Sequence, residues 1–535
     1  VTSAVSLATT SNIAFDQFCR AVMGLVHESC CAAPSLSVVR SRPAQPMRQN
    51  SLFKRLGRDA WTETVSTRDS ILPTIRGAFV LPDVTIAHLD RPDAVHVDVY
   101  VVDGQIDSIT PAGAMQPPPQ ATVFEEARGG FVASALIDMH VHMPPDSVLR
   151  LTDLFLLQTL RHGITVVRDA GDTDGTATPA ALASVVSGAL PGPEIHYAYG
   201  FVNSPPARWS NSFGYADPEQ APDIIDRLRH LGATWVKSYE NLDVPRIVAL
   251  KAAARAAGMG VLGHVPYGLG HEDAQLPDGQ HLFGMAPPAS IRRDHVFNRM
   301  IDWDAVDDRR IDLVRQVSAD RGLAVTPTLN TSTGVLDLER HHQARDEPTA
   351  RALPSFYSAI VWHPRHGIPA YRDIRREDFD RCRRAVERKH LLVNRLFGDG
   401  VPLRLGTDTQ QPFVAPGIAL HRELEAFEQA GIPRRDSWRL ATATAASALG
   451  LTDIGTVDRG ARAELVVTRS DPRHSSWSVS RDLTATVAKG TLITAADLDV
   501  AIGKELARFE GAFGEFTTRL LARLTMRRLA RNFVS

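Results

Sequence analysis

Between Ala135 and Thr409 the chain alternates short apolar runs with amphipathic helical patterns, and this alternation constrains the fold more than any other feature. The runs are ALIDMHVHM, ITVVRDAG, EIHYAYG, TWVKSYE, GVLGHV, QHLFGM, AVTPTLN and VPLRLGTDT. Helical patterns such as DLFLLQTLRHG, DIIDRLRHLG and VPRIVALKAAARAAG separate them, and GIALHRELEAFEQAG follows the last. Strands joined by helix-length connections run parallel, so eight such units predict an α/β fold of the (β/α)8 TIM-barrel kind. A doubly wound sheet is the competing architecture, but no Gly-x-Gly-x-x-Gly fingerprint stands at a strand–helix junction to support it.

The flanks read differently. GAFVLPDVTIAHLD and VHVDVYVVDGQIDSI are short strands with turn signals, Asp103-Gly104 being a hairpin turn, and ARAELVVTR and TATVAKGTLI repeat the texture late in the chain. Two β-rich pieces more than 300 residues apart form one domain when the middle folds as an insert whose ends lie close together. The expected organisation is an irregular extension over 1–50, a small β-sandwich built from 51–134 and 451–495, a barrel over 135–450, and a C-terminal helix over 496–535. A native start at Met47 is part of that expectation. Two segments break the barrel pattern: the loop FVNSPPARWSNSFGYADPEQ, with Trp209, Phe213 and Tyr215, and an arginine-rich connection from about Thr331 to Gly400.

Composition excludes several classes of function. A net charge of −2 argues against nucleic acid or an anionic membrane as partner, and no run approaches the length of a membrane span. Cys19, Cys30, Cys31 and Cys382 make no disulfide framework, which fits a reducing, cytoplasmic setting. The stretch FCRAVMGLVHESCCAAPS has too short an apolar core for a secretory signal, and residues 1–15 contain no Lys or Arg. The expected partners are a small-molecule substrate and further copies of the chain.

In a barrel the active site lies at the C-terminal ends of the strands. Those ends carry His140 and His142 on strand 1, Lys237 on strand 4, His264 on strand 5, His281 on strand 6 and Asp408 on strand 8. Side chains alternate along a strand, so His140 and His142 share a face. Neutral imidazole and carboxylate are ligands that Zn²⁺ favours, and histidine sites also suit Mn, Fe, Co or Ni. Each residue has a structural reading too: a hydrogen-bonded strand-end histidine, a solvated lysine, a turn-capping aspartate. Independent structural uses would have no reason to occupy successive strand ends in this order.

That order, with the phrases LIDMHVHM, HGITVVRDAGD, GATWVKSYENL, GVLGHV, LGTDT, ATATAASALGL and GTVDRGARAELVV, resembles the amidohydrolase superfamily, in its imidazolonepropionase-like and prolidase-like (Xaa-Pro and Xaa-Arg dipeptidase) branch. The resemblance covers about 70–500. It departs at Ser134-Ala135 for the usual Pro-Gly, at Gln280 for the usual Glu, and at Glu464 for the usual Asp.

The resemblance implies a metal-dependent hydrolase of a C–N bond with two divalent ions, zinc being expected. His140, His142 and Asp408 would hold one ion and His264 and His281 the other, with Lys237 bridging them as a CO₂-derived carbamate. A metal-bridging hydroxide would attack the carbonyl, and Asp408 would pass its proton to the leaving amine. Around these ligands, Arg168 is a candidate for a substrate carboxylate or a buried ion pair, and Asp169 for orienting a ligand histidine. Tyr239 is a candidate oxyanion or carboxylate donor, and Tyr267 a substrate-binding candidate. Arg365, Arg372, Arg375 and Arg376 could read a carboxylate or coat a solvated helix. His341, His342, His363 and His366 read as non-ligands.

The expected substrates are dipeptides or N-acyl amino acids. The rivals are a mononuclear cyclic-amide hydrolase or deaminase, a lactone or organophosphate hydrolase, and a non-catalytic homologue. Deaminases carry a Glu where this chain has Tyr267, and mononuclear relatives typically lack the strand-4 lysine.

Overall fold

The computed structural model describes residues 72–534 apart from 145–148, 173–174, 189, 206–210 and 293–295. The expected extension over 1–50, the start of the 51–134 unit and Trp209 lie outside the described residues. Five strands come first: β1 (Phe79–Ile86), β2 (Ala94–Val102), β3 (Gln105–Pro111), β4 (Thr122–Val123) and β5 (Phe131–Ser134). Next are β6 (Leu136–Val141), β7 (Ile164–Asp169), β8 (Glu194–Tyr197), β9 (Phe201–Asn203), β10 (Ser212–Gly214), β11 (Trp235–Ser238), β12 (Gly260–Gly263), β13 (Asp278–Gln280) and β14 (Ala324–Thr326). The last are β15 (Leu465–Thr468), β16 (Leu483–Ala488) and β17 (Thr491–Thr494).

Strands from both flanks join in one sheet, in the order β17-β16-β15-β5-β1-β2-β3, with β4 also paired to β1. The two flanks thus form one continuous hydrogen-bonded sheet. The splice is β5, antiparallel to β15 (Leu465↔Ser134) and parallel to β1 (Thr85↔Phe131). Apolar side chains of both flanks, among them Phe79, Val99, Val132, Leu465 and Val487, share one cluster. The β2–β3 hairpin turns through Asp103 and Gly104, both at positive φ as a tight two-residue hairpin requires. Ser134 then hands the chain directly to β6.

The middle is α/β, with parallel strands and intervening helices. One parallel sheet runs β6-β7-β8 and the other β10-β9-β11-β12-β13-β14. Residues 402–407, expected as strand 8, form only an isolated bridge at Leu403 but carry backbone bonds on both sides. Val325 N and Arg404 N tie them to β14, through Pro402 O (2.9 Å) and Val325 O (3.0 Å). Met139 N to Leu405 O (2.9 Å) and Thr407 N to His140 O (3.0 Å) tie them to β6. Gly406 is required there, because a Cβ would stand 2.6 Å from His140 Cβ. At the other seam Thr234 N donates to Tyr197 O (3.1 Å), and Lys237 pairs with Phe201.

Two expectations shift. Strand 6 is Asp278–Gln280, and the apolar letters HLFGM after it form a turn, because His281 and Leu282 take positive φ. The C-terminal helix is two helices, Ala495–Glu510 and Ala512–Val534. The 331–400 connection folds into short helices and the long helix Arg376–Gly398. It leans on the loop that follows Asp408: Tyr371 Oη donates to Gln411 Oε1 (3.0 Å), and the Trp362 and Phe413 rings lie 5.0 Å apart. Among the described residues no helix is long and apolar enough to cross a membrane.

Candidate metal centre

His140 is the penultimate residue of β6, His142 directly follows that strand, and Lys237 is inside β11; His264 and His281 immediately follow β12 and β13. All four histidines, Lys237 and Asp408 are buried. Asp408 is drawn to strand 1 by its own N–H, which donates to His140 O (2.8 Å), while Gln410 Nε2 donates to His142 O (3.1 Å).

The donor atoms converge. His140 Nε2 and His142 Nε2 are 3.2 Å apart, and Asp408 Oδ1 lies 3.5 and 3.3 Å from them. Asp408 Oδ2 is 3.7 Å from His281 Nδ1. The His281 ring sits 4.7 Å from that of His140 and 4.8 Å from that of His264. Burial first, then the charges of Lys237, His281 and His142, hold His140 well below the usual imidazole range, so it is neutral, the form that binds a metal.

What keeps these rings in place is a set of partners on their Nδ1 atoms. His142 Nδ1 meets Gly171 O (2.7 Å), His264 Nδ1 meets Glu240 Oε1 (3.2 Å), His281 Nδ1 meets Thr328 Oγ1 (2.8 Å), and His140 Nδ1 meets Gln280 Oε1. Carbonyl and carboxylate oxygens only accept, so Nδ1 of His140, His142 and His264 donates and each Nε2 keeps its lone pair. Nε2 of His264 is buried and makes no hydrogen bond among the described residues. Leaving such an acceptor unpaired costs about 1–3 kcal/mol. A buried, unbonded imidazole lone pair beside further imidazoles and a carboxylate fits a divalent metal ion.

The four histidines and Asp408 expected from strand ends are therefore neighbours, and the charge of Lys237 acts on His140. Of the surrounding candidates, Tyr239 is buried with its ring 4.9 Å from both Phe201 and His264. Tyr267 Oη donates to Glu240 Oε2 (3.1 Å). Asp169 accepts from Gly171 N (2.8 Å), so it acts on His142 through the glycine whose carbonyl that ring meets.

Arg168 is a correction to the substrate role. Its guanidinium donates to Asp278 Oδ2 (2.6 Å) and Met139 O (2.8 Å) and stacks on Trp235. Asp278 and Trp235 begin their strands, so Arg168 faces the end of the sheet opposite the metal ligands. Arg372 donates to Gly367 O and Met526 O, and Arg375 pairs with Glu377. The only group of three donors close enough to hold a metal among the described residues is His140, His142 and Asp408, which leaves out the insertion histidines.

Sequence reasoning missed Glu240, Thr328 and Asp138. Asp138 accepts from His140 N, Thr407 N and Thr407 Oγ1, fastening strand 1 to strand 8, and burial pushes its carboxyl up to about 7. The readable signal was an acidic residue inside an apolar strand and another just past Lys237. Gln280, a departure from the family pattern, supplies the oxygen that holds His140.

Solved structures resemble the chain in fold. Bottromycin amidohydrolase is 23% identical with a TM-score of 0.61, over 80% of this chain and 90% of that one. A Xaa-Pro dipeptidase with methionine bound in its active site is 16% identical with a TM-score of 0.56, over 78% of this chain and 100% of that one. The A. niger ochratoxinase is 14% identical with a TM-score of 0.55, over 78% and 96%. No curated protein matches the sequence. The amidohydrolase family model matches residues 131–493, a span that includes His140, His142, Lys237, His264, His281 and Asp408, and the chain belongs to that family.

Proposed function

We propose that the chain hydrolyses an amide or peptide-like C–N bond with two divalent metal ions held by His140, His142, Lys237, His264, His281 and Asp408. The observation that carries this reading is the set of buried rings with Nδ1 engaged by oxygen partners, next to Asp408. Zinc suits this donor set, and a carbamate on Lys237 would supply the negative charge that two cations call for. When bound, the metals polarise the scissile carbonyl and make water nucleophilic at neutral pH.

The protein's own groups do the remaining work. Asp408 takes the proton from the attacking water and delivers it to the leaving nitrogen. The Tyr239 hydroxyl stabilises the carbonyl oxygen as charge develops. Glu240 holds the His264 ring, and the insertion, through Tyr371 on Gln411, keeps bulk water from the loop that carries Asp408. The reading takes the two parallel sheets as one closed barrel, which the backbone bonds at both seams support. Dipeptides and N-acyl amino acids are the proposed substrates, and a Xaa-Pro dipeptidase among the fold neighbours supports that choice.

The test is metal analysis joined to a hydrolysis screen of dipeptides, N-acyl amino acids, lactones and organophosphates. About two metal ions per chain and turnover of amides are expected. Turnover confined to lactones or organophosphates would sink the C–N assignment. A mononuclear site is the second reading, because among the described residues only His140, His142 and Asp408 place donor atoms all within 4.8 Å of one another. About one ion per chain would favour it.

A further inference from the structure

Three arginines are buried among the described residues: Arg168, Arg299 and Arg310. Arg168 has Asp278, and Arg310 grips Glu272 through two bonds of 2.7 and 2.8 Å. Arg299 pairs with no carboxylate among the described residues. Its Nη2 donates to Val265 O (2.5 Å), and its guanidinium lies 4.1 Å from the Phe283 ring centre and 5.0 Å from that of Tyr267. Nη1 is buried and makes no hydrogen bond among the described residues. Aromatic faces stabilise a cation but take no N–H in the plane of the guanidinium, so one donor stays unmatched.

This arginine forms part of the wall of a small, half-open recess with an enclosed volume of about 20 Å³. Tyr267, Gly268, Leu269, Leu282 and Gly284 contribute to the rest. These residues belong to the turns that follow His264 and His281, so the recess lies beside the metal centre without sharing its ligands. Two links join the sites. The Phe283 ring, under the guanidinium, stands 5.1 and 5.3 Å from the rings of His264 and His281. The Tyr267 hydroxyl donates to Glu240, whose other oxygen holds His264.

We propose that the recess is an anion subsite, in which Arg299 receives a carboxylate and Leu269 and Leu282 receive the short apolar group that bears it. Its place in catalysis rests on the proposed hydrolase reading: it would select substrates that carry a negative charge away from the scissile bond. A guanidinium with free N–H groups is the side chain best shaped for a carboxylate, and its charge persists at every physiological pH. Of the arginines singled out from sequence for this task, those on the insertion are engaged elsewhere or exposed, and Arg168, which also keeps an unbonded Nη1, is committed to Asp278; Arg299 keeps an unbonded Nη1 and pairs with no carboxylate among the described residues.

The test does not depend on turnover. Metal-loaded protein is crystallised with 4-bromobenzoate, whose bromine is located by anomalous scattering. The carboxylate is expected within about 3 Å of Arg299 Nη1. Calorimetry is expected to show at least about tenfold weaker binding of the same probe to Arg299→Met, with Arg299→Lys in between. The probe only at the metal centre, no bound probe, or undiminished affinity in a folded Arg299→Met would overturn the proposal. If Arg299→Met does not fold, the wild-type crystal decides alone. A chain that binds the probe here yet hydrolyses no amide would refute the hydrolase reading and leave the subsite standing. Where an N-acyl amino acid is hydrolysed, its C-terminal amide is expected to show at least about tenfold lower kcat/KM, a difference lost in Arg299→Met. A difference that survives that substitution would place selection elsewhere and overturn the proposal.

Discussion

Asp408 and His281 take φ of 57° and 60°, and Thr328, which meets His281 Nδ1, takes 47°. Non-glycine residues in this region carry strain that persists only where the surroundings over-determine it, and such strain clusters at functional sites. Asparagine tolerates the same backbone, so Asp408→Asn should keep its fold and much of its metal while turnover falls by at least about 10²-fold. Near-normal turnover at full metal occupancy would remove the proton-shuttle role. Lys237→Ala should lose one metal and nearly all activity, with partial rescue by short carboxylic acids that replace the carbamate oxygens; wild-type metal content in that variant would exclude bridging. His140, His142, Lys237, His264, His281 and Asp408 were all legible in the sequence, because each stands at or beside the end of an apolar run. Glu240 was not, because its use depends on His264, 24 residues away, arriving within 3.2 Å.

At the scale of elements, helices and strands carry these groups, and Arg168 shows where strand reasoning stops. Its place near the end of β7 pointed to the mouth of the barrel, yet its partners Asp278 and Trp235 begin β13 and β11. A cation of that length can turn either way along a strand, and here it turns to the buried Asp278, which it shares with Arg404. Burial draws the arginine down to about 10, while Asp278, paired with both Arg168 and Arg404, is held below the usual carboxylate range. Arg168→Met leaves Asp278 its second partner, Arg404, so it should cost about 1.5–3 kcal/mol of stability by urea unfolding, the scale of lost hydrogen bonds to a charged group. KM for a carboxylate-bearing substrate should stay unchanged in that variant. A raised KM at unaltered stability would restore the substrate role.

For the whole molecule, acid sensitivity depends on groups remote from the metal centre. His271 is buried against Ser318 (2.9 Å), and burial pulls it down to about 4. The unfolded chain protonates this residue near 6.5, so between pH 6.5 and 4 it binds more protons than the folded chain, and stability falls as pH falls. Glu423 and Glu464, pushed up to about 7 by burial, act oppositely: the folded state holds their protons, and stability falls as pH rises from about 4.5 to 7. The two effects offset each other in the complete protein. They separate in His271→Gln, which should recover about 2 kcal/mol relative to wild type between pH 7 and pH 5 in denaturant titrations. An equal pH response in both proteins would show that His271 titrates normally.

The sequence by itself determined the alternation of strand and helix, the joining of the two β-rich flanks, and the order of the six donors. All of these follow from short-range periodicity: two residues per repeat puts His140 and His142 on one face whatever the rest of the chain does. Tertiary structure decided that the flanks make one continuous sheet, that HLFGM is a turn, and that Arg168 is spent on Asp278. It also decided that Gln280 holds His140 from 140 residues away, and that Arg299 keeps a donor unused. Those outcomes depend on which polar atoms long-range packing brings within about 3 Å, and an unmatched hydrogen-bond donor is a property of everything around it rather than of its own stretch of chain.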